Sequence, residues 1–298
     1  MNQTPPKQQP QVACFGEILW DSMPHGLFIG GAPYNVAYHL ARLDQPTLLV
    51  SAVGSDELGK LALEKAKDSG VDVSCIQISD IYPTGIADIF INQDNDADYD
   101  IRKPAAWDFV ELTQLVEEKV ANCTALVFGT LASRSSVTRA TLFSLLEGFK
   151  GLTVCDVNLR KPYDDRDLVL SIASKAQVVK LNEDELYTLS QLNSDTTSLE
   201  QALNTFKDLV GAQMIFLTRG KDPAVYFDGT RMIFASPPDR GDVADTVGAG
   251  DAFTAAIIQS MLYQNDVETS LDRGVRLGAY VATQHGAQPI YEPEAAMA

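Results

Sequence analysis

The stretch Asp245–Phe253, DTVGAGDAF, decides the interpretation of this 298-residue chain. Gly248, Ala249 and Gly250 stand directly before Asp251, and an apolar helical pattern begins after it. Small residues let backbone N–H groups turn inward as an anion-binding nest, and the helix N-terminus adds its positive dipole end. An acidic side chain there would repel a bound phosphate. Its presence is explained if it is a base that takes a proton from a hydroxyl while the nest holds a transferring phosphoryl group. The alternative is an ordinary helix start capped by Asp251.

A second glycine motif lies far upstream, at residues 30–37, where the sequence is GGAPYNVA. Gly30 and Gly31 allow the backbone to approach a ligand closely. Asn35 carries both a hydrogen-bond donor and an acceptor near a predicted helix start, which suits a polyol hydroxyl. For this segment alone, the alternative is a turn in which Asn35 caps the helix.

Together the two motifs resemble the signatures of the ribokinase-like (PfkB-type) carbohydrate kinases. The first is similar to that family's GG-x-x-N-x-A motif and the second to its DT-x-GAGD-x-F motif. The resemblance runs from about Val12 to about Pro293. It implies an α/β fold with a central, mostly parallel sheet flanked by helices and a small β-sheet lid over a sugar. It also implies that Asp251 is the catalytic base of an ATP-dependent sugar kinase.

Composition excludes several other classes of function. The net charge of −17 disfavours binding to nucleic acid and to anionic lipid surfaces. No apolar run approaches the length that spans a bilayer, and the Pro/Gln-rich start is predicted to be a disordered lead rather than a signal peptide. The four cysteines form no CxxC pair, so we expect reduced, buried thiols in a cytosolic protein and no zinc site.

Short β-type runs alternate with amphipathic helical patterns along the chain, which is typical of a parallel sheet covered on both faces. The predicted strands are Val12–Leu19, Thr47–Val53, Ala125–Phe128, Leu152–Val157, Gln177–Leu181, Met214–Thr218 and Ala224–Phe227. The predicted helices are Leu58–Ser69, Arg139–Phe149, Leu199–Val210, Ala252–Tyr263 and Leu271–Thr283. Ligands of such sheets gather at the carboxyl ends of the strands, where the motif-bearing loops fall.

One segment departs from this alternation. Gly85–Ile91 alternates in polarity, Asn92–Asp100 is predicted to be a polar turn, and residues 101–103 follow, which indicates an inserted β-hairpin. In the resembled family, strands here and around Asp21–Ile29 form the lid. We therefore expect a disordered lead at 1–11 and one kinase domain at 12–298, with lid strands at about 20–30 and 84–103. Lid faces in that family commonly pair, so a homodimer through the lid is a further expectation.

The segment KLNEDE, residues 180–185, follows a predicted strand and resembles the family's N-x-x-E motif. The resemblance implies that Lys180 and Asn182 belong to the nucleotide site and that Glu185, with Asn182, orients Mg²⁺ and its waters. Mg²⁺ prefers oxygen ligands and keeps several waters, so few direct protein contacts are expected. The alternative is a helix capped by Asn182 and followed by acidic residues that favour the helix dipole.

Two further segments resemble nucleotide-binding parts of the family. Thr218, Arg219 and Gly220 are similar to its T-x-G turn, although the usual second glycine is absent; a tight turn at a strand end is the alternative. His285 and Gly286 lie in a segment similar to the one that lines the adenine pocket, where His285 either stacks on the base or is simply exposed. Backbone carbonyls here and at the start of DTVGAGDAF could also hold a monovalent cation such as K⁺, as in some relatives.

Acceptor contacts are assigned to four further side chains. The carboxylate of Asp21 suits hydrogen bonds from two adjacent hydroxyls, although a turn-forming role is the alternative. Asn158 and Arg160 lie in DVNLR, which resembles the D-x-N-x-R segment of fructokinases and 2-keto-3-deoxygluconate kinases. Arg102 lies in IRKPAAWD, which resembles the lid R-x-P-x-A segment of fructokinases and is expected to reach over the sugar.

These motifs together resemble bacterial fructokinases most. A 2-keto-3-deoxygluconate kinase is the alternative, because Arg160 suits a carboxylate substrate. Against it, Asp100 stands where that family carries an aromatic residue, and it repels a carboxylate if it faces the pocket. A non-catalytic sugar- or nucleotide-binding regulator is disfavoured because Asp251 and its nest are intact. A dehydrogenase would need G-x-G-x-x-G where Gly16–Ile18 stands.

Overall fold

A nine-stranded sheet and a four-stranded sheet organise the part of the chain that the computed structural model describes, residues 11–23, 26–91 and 97–298. The strands of the large sheet are β1 (Val12–Phe15), β4 (Thr47–Gly54), β5 (Asp72–Ser79), β8 (Ala125–Gly129), β9 (Leu152–Asp156), β10 (Val178–Asn182), β11 (Met214–Arg219), β12 (Asp222–Phe227) and β13 (Met232–Ala235). Those of the small sheet are β2 (Leu19–Met23), β3 (Gly26–Gly30), β6 (Gly85–Ile91) and β7 (Ala97–Ile101). The predicted disordered lead lies outside the described residues, apart from Gln11.

The large sheet has the order β13-β12-β11-β10-β9-β8-β1-β4-β5. Its strands from β5 to β11 pair in parallel, and only β12 and β13 add an antiparallel edge in the described part. Successive residues of β1 supply two cores: Ala13 and Phe15 pack on one face, Val12 and Cys14 on the other. This alternation buries both faces, as a parallel sheet requires.

The described chain contains ten helices, and nine of them cover these faces. The ten helices are α1 (Ala32–Arg42), α2 (Glu57–Asp68), α3 (Gln114–Ala121), α4 (Ser136–Gly148), α5 (Arg166–Ala173), α6 (Glu183–Ser190), α7 (Leu199–Val210), α8 (Ala249–Leu262), α9 (Val267–Ala282) and α10 (Pro293–Met297). Helices α1, α2, α8 and α9 contribute to the core that holds Val12, and α3 to α7 to the core that holds Phe15. The predicted α/β fold with helices on both sides of a mostly parallel sheet is confirmed.

The small sheet, ordered β3-β2-β6-β7, is the predicted lid. Strand β2 pairs antiparallel with β3 and parallel with β6, and β6 pairs antiparallel with β7. The polar turn predicted over Asn92–Asp100 is shorter than expected, because Ala97 already begins β7. Residues 92–96 lie outside the described residues.

The first predicted strand is also too long at its carboxyl end. It ends at Phe15, because Gly16 adopts φ +143°, and Leu19 already belongs to the lid. Strands β5 and β13 were missed. Both are edge strands. Because an edge strand has only one strand neighbour, more of its residues are polar or exposed, and the alternation of apolar residues is weaker.

All four cysteines are free and buried, as the sequence predicted. Burial raises the pKa of the Cys14 and Cys155 thiols well above the ordinary value, so both stay protonated at neutral pH. Across residues 11–23, 26–91 and 97–298, no helix combines the length and apolar character needed to cross a membrane.

Candidate active site

A cleft of about 420 Å³ opens between the carboxyl edge of the large sheet and the lid. Most of the predicted site residues meet there, although they come from segments far apart in the chain. The lining residues are Glu17, Leu19, Asp21, Gly31, Ala32, Asn35, Ala87, Ile101, Leu131, Asn158, Arg160, Lys180, Asn182, Thr218, Thr246, Val247, Gly248, Gly250 and Asp251.

The lid contributes one face of its strands to this cleft. Leu19 and Asp21 alternate with the buried Trp20, whose indole N–H donates to the Leu58 carbonyl at 3.0 Å instead. Asp21 lies opposite Ala87 in the lid, and Ala87 opposite Ile101, so all of these inward positions belong to one face.

Gly30 makes room for the Asp21 carboxylate. A Cβ on Gly30 would lie 2.2 Å from Oδ2 of Asp21, so any side chain here would displace the carboxylate. Burial raises the pKa of Asp21 to about 7. The positive charge of Arg160 lowers this pKa, and the negative charge of Asp251 raises it. Asp21 therefore sits in the cleft as a carboxyl group that titrates near neutrality.

Asp251 lies in the first turn of α8 and is buried at the floor of the cleft. The helix begins at Gly248, which takes φ +79°, and no side chain caps its N-terminus. A Cβ on Gly248 would lie 2.5 Å from Cα of Ala287, so glycine is required both by conformation and by space. The alternative in which Asp251 caps the helix is wrong. Its carboxylate therefore does not cap the helix and is available for another role. Gly248 and Gly250 line the cleft beside it, whereas Ala249 lies outside the lining and its amide donates to the Thr246 carbonyl at 3.3 Å.

Asn35 joins the two glycine motifs directly. Its Nδ2 donates to Oδ2 of Asp251 at 2.8 Å, and its Oδ1 accepts from Nε2 of Gln288 at 2.7 Å. Gly31 is the N-cap of α1, so the alternative in which Asn35 is the cap is wrong. Asn35 lines the cleft, but its side chain is hydrogen-bonded to Asp251 and Gln288 and therefore holds the Asp251 carboxylate in position. Gln288 was missed by the sequence analysis.

The charges around Asp251 form a buried network. Burial raises the pKa of Asp251 to about 6, Asp156 adds to this, and Asn35, Lys180 and Arg160 counter it. Lys180 pairs with Asp156 at 3.1 Å, and Thr254 donates to the other oxygen of Asp156 at 2.9 Å. The pKa of Lys180 is lowered by burial but raised overall by the surrounding carboxylates, so it stays a fixed cation beside the base.

The N-x-x-E segment forms a capping box at the start of α6. Asn182 accepts from the amide of Glu185, and Glu185 accepts from the amides of Asn182 and Leu159, at 2.7–2.8 Å. Both oxygens of Glu185 are thus used by the backbone, and the alternative of an Asn182-capped helix is realised. Asn182 and Thr218 lie side by side at the ends of β10 and β11, and both line the cleft.

Other predicted nucleotide residues lie outside the lining of the cleft. Arg219 pairs with Glu183 at 3.1 Å, and Gly220 forms the turn between β11 and β12. His285 is exposed, as the simpler alternative expected. The amide of Gly286 donates to Asp245 at 3.1 Å and thereby closes the loop that precedes α8. That loop is the place where a monovalent cation was predicted.

Arg102 does not enter the cleft, contrary to expectation. It pairs with Asp88 through two hydrogen bonds of 2.7 and 2.9 Å on the outer face of the lid. The reason is strand alternation: Ile101 points into the cleft, so its neighbours Asp100 and Arg102 point away. The argument that Asp100 repels a carboxylate in the pocket fails for the same reason.

A different arginine, which the sequence analysis missed, holds this end of the lid. Arg134 is buried, pairs with both oxygens of Asp108, and donates to the backbone carbonyls of Ile101 and Arg102. Its guanidinium lies 4.0 Å from the Trp107 ring centroid. No local pattern marks this residue, because these partners lie in residues 101–108, at least 26 positions away in the chain.

Comparison with known proteins supplies the family. The family model for pfkB family carbohydrate kinases matches residues 24–294. An ATP-dependent 6-phosphofructokinase of Thermoanaerobacterium thermosaccharolyticum is 29% identical over 87% of this chain and 80% of its own length. A fructokinase of Rhizobium leguminosarum bv. trifolii is 28% identical over 85% of this chain and 80% of its own length.

Solved structures agree on the fold. A fructokinase of Vibrio cholerae O395, in a form bound to fructose, ADP and calcium ion, superimposes with a TM-score of 0.82 at 23% identity, over 94% of this chain and 95% of that one. Both glycine motifs that meet in the cleft lie within residues 24–294, which the family model matches. The chain belongs to the PfkB family of carbohydrate kinases.

Proposed function

We propose that this protein is an ATP-dependent fructokinase in which Asp251 is the catalytic base. The observation that carries the proposal is the hydrogen bond between Asp251 and Asn35. It places the carboxylate of the phosphate-binding motif against the motif of the acceptor side, within one cleft. Fructokinases among the relatives support the choice of sugar.

The reaction follows from this placement. As a sugar hydroxyl attacks the γ-phosphorus of ATP, its proton passes to Asp251, and the bond between that phosphorus and the β–γ bridging oxygen breaks. ADP leaves with the bonding electrons. The N-terminus of α8, which no side chain caps, stabilises the charge on the transferring group through its dipole and through Gly248 and Gly250, which line the cleft. Lys180 adds a fixed positive charge nearby.

The residues present fit a metal that arrives with the nucleotide. Among the described residues, no group of three or more His, Cys, Asp or Glu side chains is arranged to hold a metal ion. Mg²⁺ commonly binds through substrate phosphates and water, so a protein cage is not required. Asn182 lines the cleft there. Glu185 lies outside the lining and accepts from backbone amides with both oxygens, so it would act on the metal by positioning Asn182 and through water. When bound, Mg²⁺ neutralises phosphate charge.

The acceptor end of the cleft favours an uncharged sugar. Glu17 and Asp21 line it, and the charge of Arg160 lowers the pKa of both, whereas Lys180 is paired with Asp156. A sugar phosphate adds between one and two negative charges at neutral pH, roughly, and a sugar acid adds one. Both are therefore poorer acceptors than fructose, which disfavours 6-phosphofructokinase and 2-keto-3-deoxygluconate kinase activity.

A coupled ADP-release screen tests the substrate. It compares fructose with ribose, fructose 6-phosphate, 2-keto-3-deoxygluconate, inositol and adenosine, and fructose should give the highest kcat/KM. A clear preference for an anionic acceptor would refute the charge argument without touching the kinase assignment.

A substitution tests the base. Asp251→Asn should lower kcat by at least about a hundredfold while the KM values for fructose and ATP stay near wild type. The exposed Asp242→Asn is the matched control and should behave as wild type. Near-normal turnover in Asp251→Asn contradicts the assignment, and no turnover in the wild type with any sugar supports the non-catalytic alternative.

We also infer a cytosolic homodimer that pairs through the lid. Leu27 and Phe28 on β3 are 48% and 43% exposed, so this strand presents apolar surface. The buried free thiols agree with a reducing compartment. Sedimentation velocity tests the dimer, and a monomer at all practical concentrations contradicts it.

A further inference from the structure

The structure leaves one acidic side chain of the cleft without a role in the reaction described above. Glu17 follows β1, which lies between β8 and β4 in the interior of the large sheet, and is only 3% exposed. Its Oε2 is buried and has no hydrogen-bond partner. A buried acceptor without a partner costs free energy, so its persistence in a lining position needs an explanation.

We propose that Glu17 is a sugar contact, whose Oε2 accepts a hydrogen bond from a hydroxyl of the bound acceptor. The inference rests on the proposed sugar kinase function and deepens it. Glu17 would then share recognition of the acceptor with Asp21, which lies across the same cleft on the lid.

The position of Glu17 supports this role. The start of α1 packs directly on it, because a Cβ on Gly31 would lie 2.5 Å from the Glu17 carbonyl oxygen. The backbone of Glu17 is thereby fixed against the start of the acceptor motif, and Glu17 lines the cleft together with Asn35 and Asp251. Its side chain therefore projects from rigid backbone, which a specific contact to a small ligand requires.

The electrostatics agree. Burial raises the pKa of Glu17 to about 7, helped by Asp251 and countered by its own backbone amide, Arg160 and Arg134. Asp21 is the other titrating carboxyl group of the acceptor end. A hydroxyl that donates to Oε2 stabilises the charged form and lowers this pKa. Sugar binding at pH 7 must therefore release protons, in part from Glu17.

The first test is kinetic. In Glu17→Gln, the KM for fructose should rise about tenfold, because a hydrogen bond to a charged carboxylate becomes at best one to a neutral amide oxygen. The KM for ATP and the melting temperature should stay near wild type. The control is Glu147→Gln, an equivalent change on the exposed side of α4. An unchanged KM for fructose in a folded Glu17→Gln protein overturns the proposal.

Deoxy analogues of fructose separate a contact from a positioning effect. One analogue should lose less affinity in Glu17→Gln than in the wild type, because the hydroxyl that it lacks would donate only to a neutral amide oxygen in the variant. If every analogue loses as much in the variant as in the wild type, Glu17 acts only through its neighbours and the proposal is overturned. Should Glu17→Gln fail to fold, Glu17→Asp serves, since it retains the charge but withdraws the oxygens by one methylene group.

Calorimetry gives a readout that does not depend on turnover. Fructose titrations at pH 7 in two buffers of different ionisation enthalpy should show fewer protons released by Glu17→Gln than by the wild type. Equal proton release overturns the proposal. Because wild-type turnover of fructose is measured alongside, a failure confined to Glu17 leaves the kinase function standing. A wild type that turns over no sugar overturns both.

Discussion

Replacing Asn35 with alanine tests how Asp251 is tuned. The substitution removes the 2.8 Å hydrogen bond to Asp251, which stabilises the carboxylate and lowers its pKa. A hydrogen bond to a charged group contributes about 1.5–3 kcal/mol, and about 1.4 kcal/mol corresponds to one pKa unit. The pKa of Asp251 should therefore move from about 6 to roughly 7–8. At pH 7 the ionised fraction falls from roughly nine-tenths to about a quarter, if the new value is near 7.5.

The assay is kcat/KM against pH, because that profile reports the free enzyme, which is the state to which these pKa values belong. Because the ionised carboxylate is the active form, kcat/KM is lost as the pH falls through the pKa of Asp251. In Asn35→Ala this acid limb should move to higher pH, with kcat/KM near wild type at about pH 9 and about fourfold lower at pH 7. Gln288→Ala is the matched control, since it removes the other hydrogen bond of Asn35. An acid limb that stays in place in a folded Asn35→Ala protein refutes the reasoning.

Three further predictions concern the lid and the core. Gly30→Ala places a Cβ against the carboxylate of Asp21. The KM for fructose should rise at least about tenfold while the KM for ATP stays unchanged, and an unchanged KM for fructose contradicts this. Arg102→Ala breaks only the ion pair with Asp88 on the outer face of the lid, so the KM for fructose should change less than about twofold. A large rise in this KM would instead support the contact between Arg102 and the sugar that the sequence predicted. Burial lowers the pKa of His39 from 6.5 to about 4, so the unfolded state binds its proton first, and the free energy of unfolding should fall by about 3 kcal/mol between pH 6.5 and 4. Denaturant unfolding checks this, and an equal acid slope in His39→Gln would argue against it.

Much of the fold was predictable because parallel strands and their helices leave strong local patterns. The helix Leu199–Val210 and the strand Gly85–Ile91 were predicted with the bounds that the structure has. Edge strands were harder. Strand β5 carries polar residues at Asp72, Ser74 and Gln77, and its Ile78 is 62% exposed, so its pattern resembles that of a loop.

The candidate site was predicted as a set of segments rather than as a geometry. Motif order brought Asp251, Asn35 and Asp21 together correctly. The error at Arg102 was avoidable, because the alternation of Ile101 with its neighbours already indicated which side chains face the lid interior. The contact from Gln288 to Asn35 was not accessible, since it joins residues 253 positions apart and leaves no periodic signal.

The chemistry of hydrogen bonding explains why an amide, rather than a carboxylate, stands at position 35. An ionised Asp251 only accepts, so Asn35 must turn its Nδ2 toward it, and its Oδ1 then faces Gln288, which must donate. An aspartate at position 35 would set two carboxylates within hydrogen-bond distance, and like charges so close cannot both ionise near neutrality. One proton would be shared between the two carboxyl groups, and Asp251 would be partly protonated at the pH where it must accept a proton. The asparagine of the acceptor motif is therefore accounted for by the ionisation of Asp251, before any contact with sugar is considered.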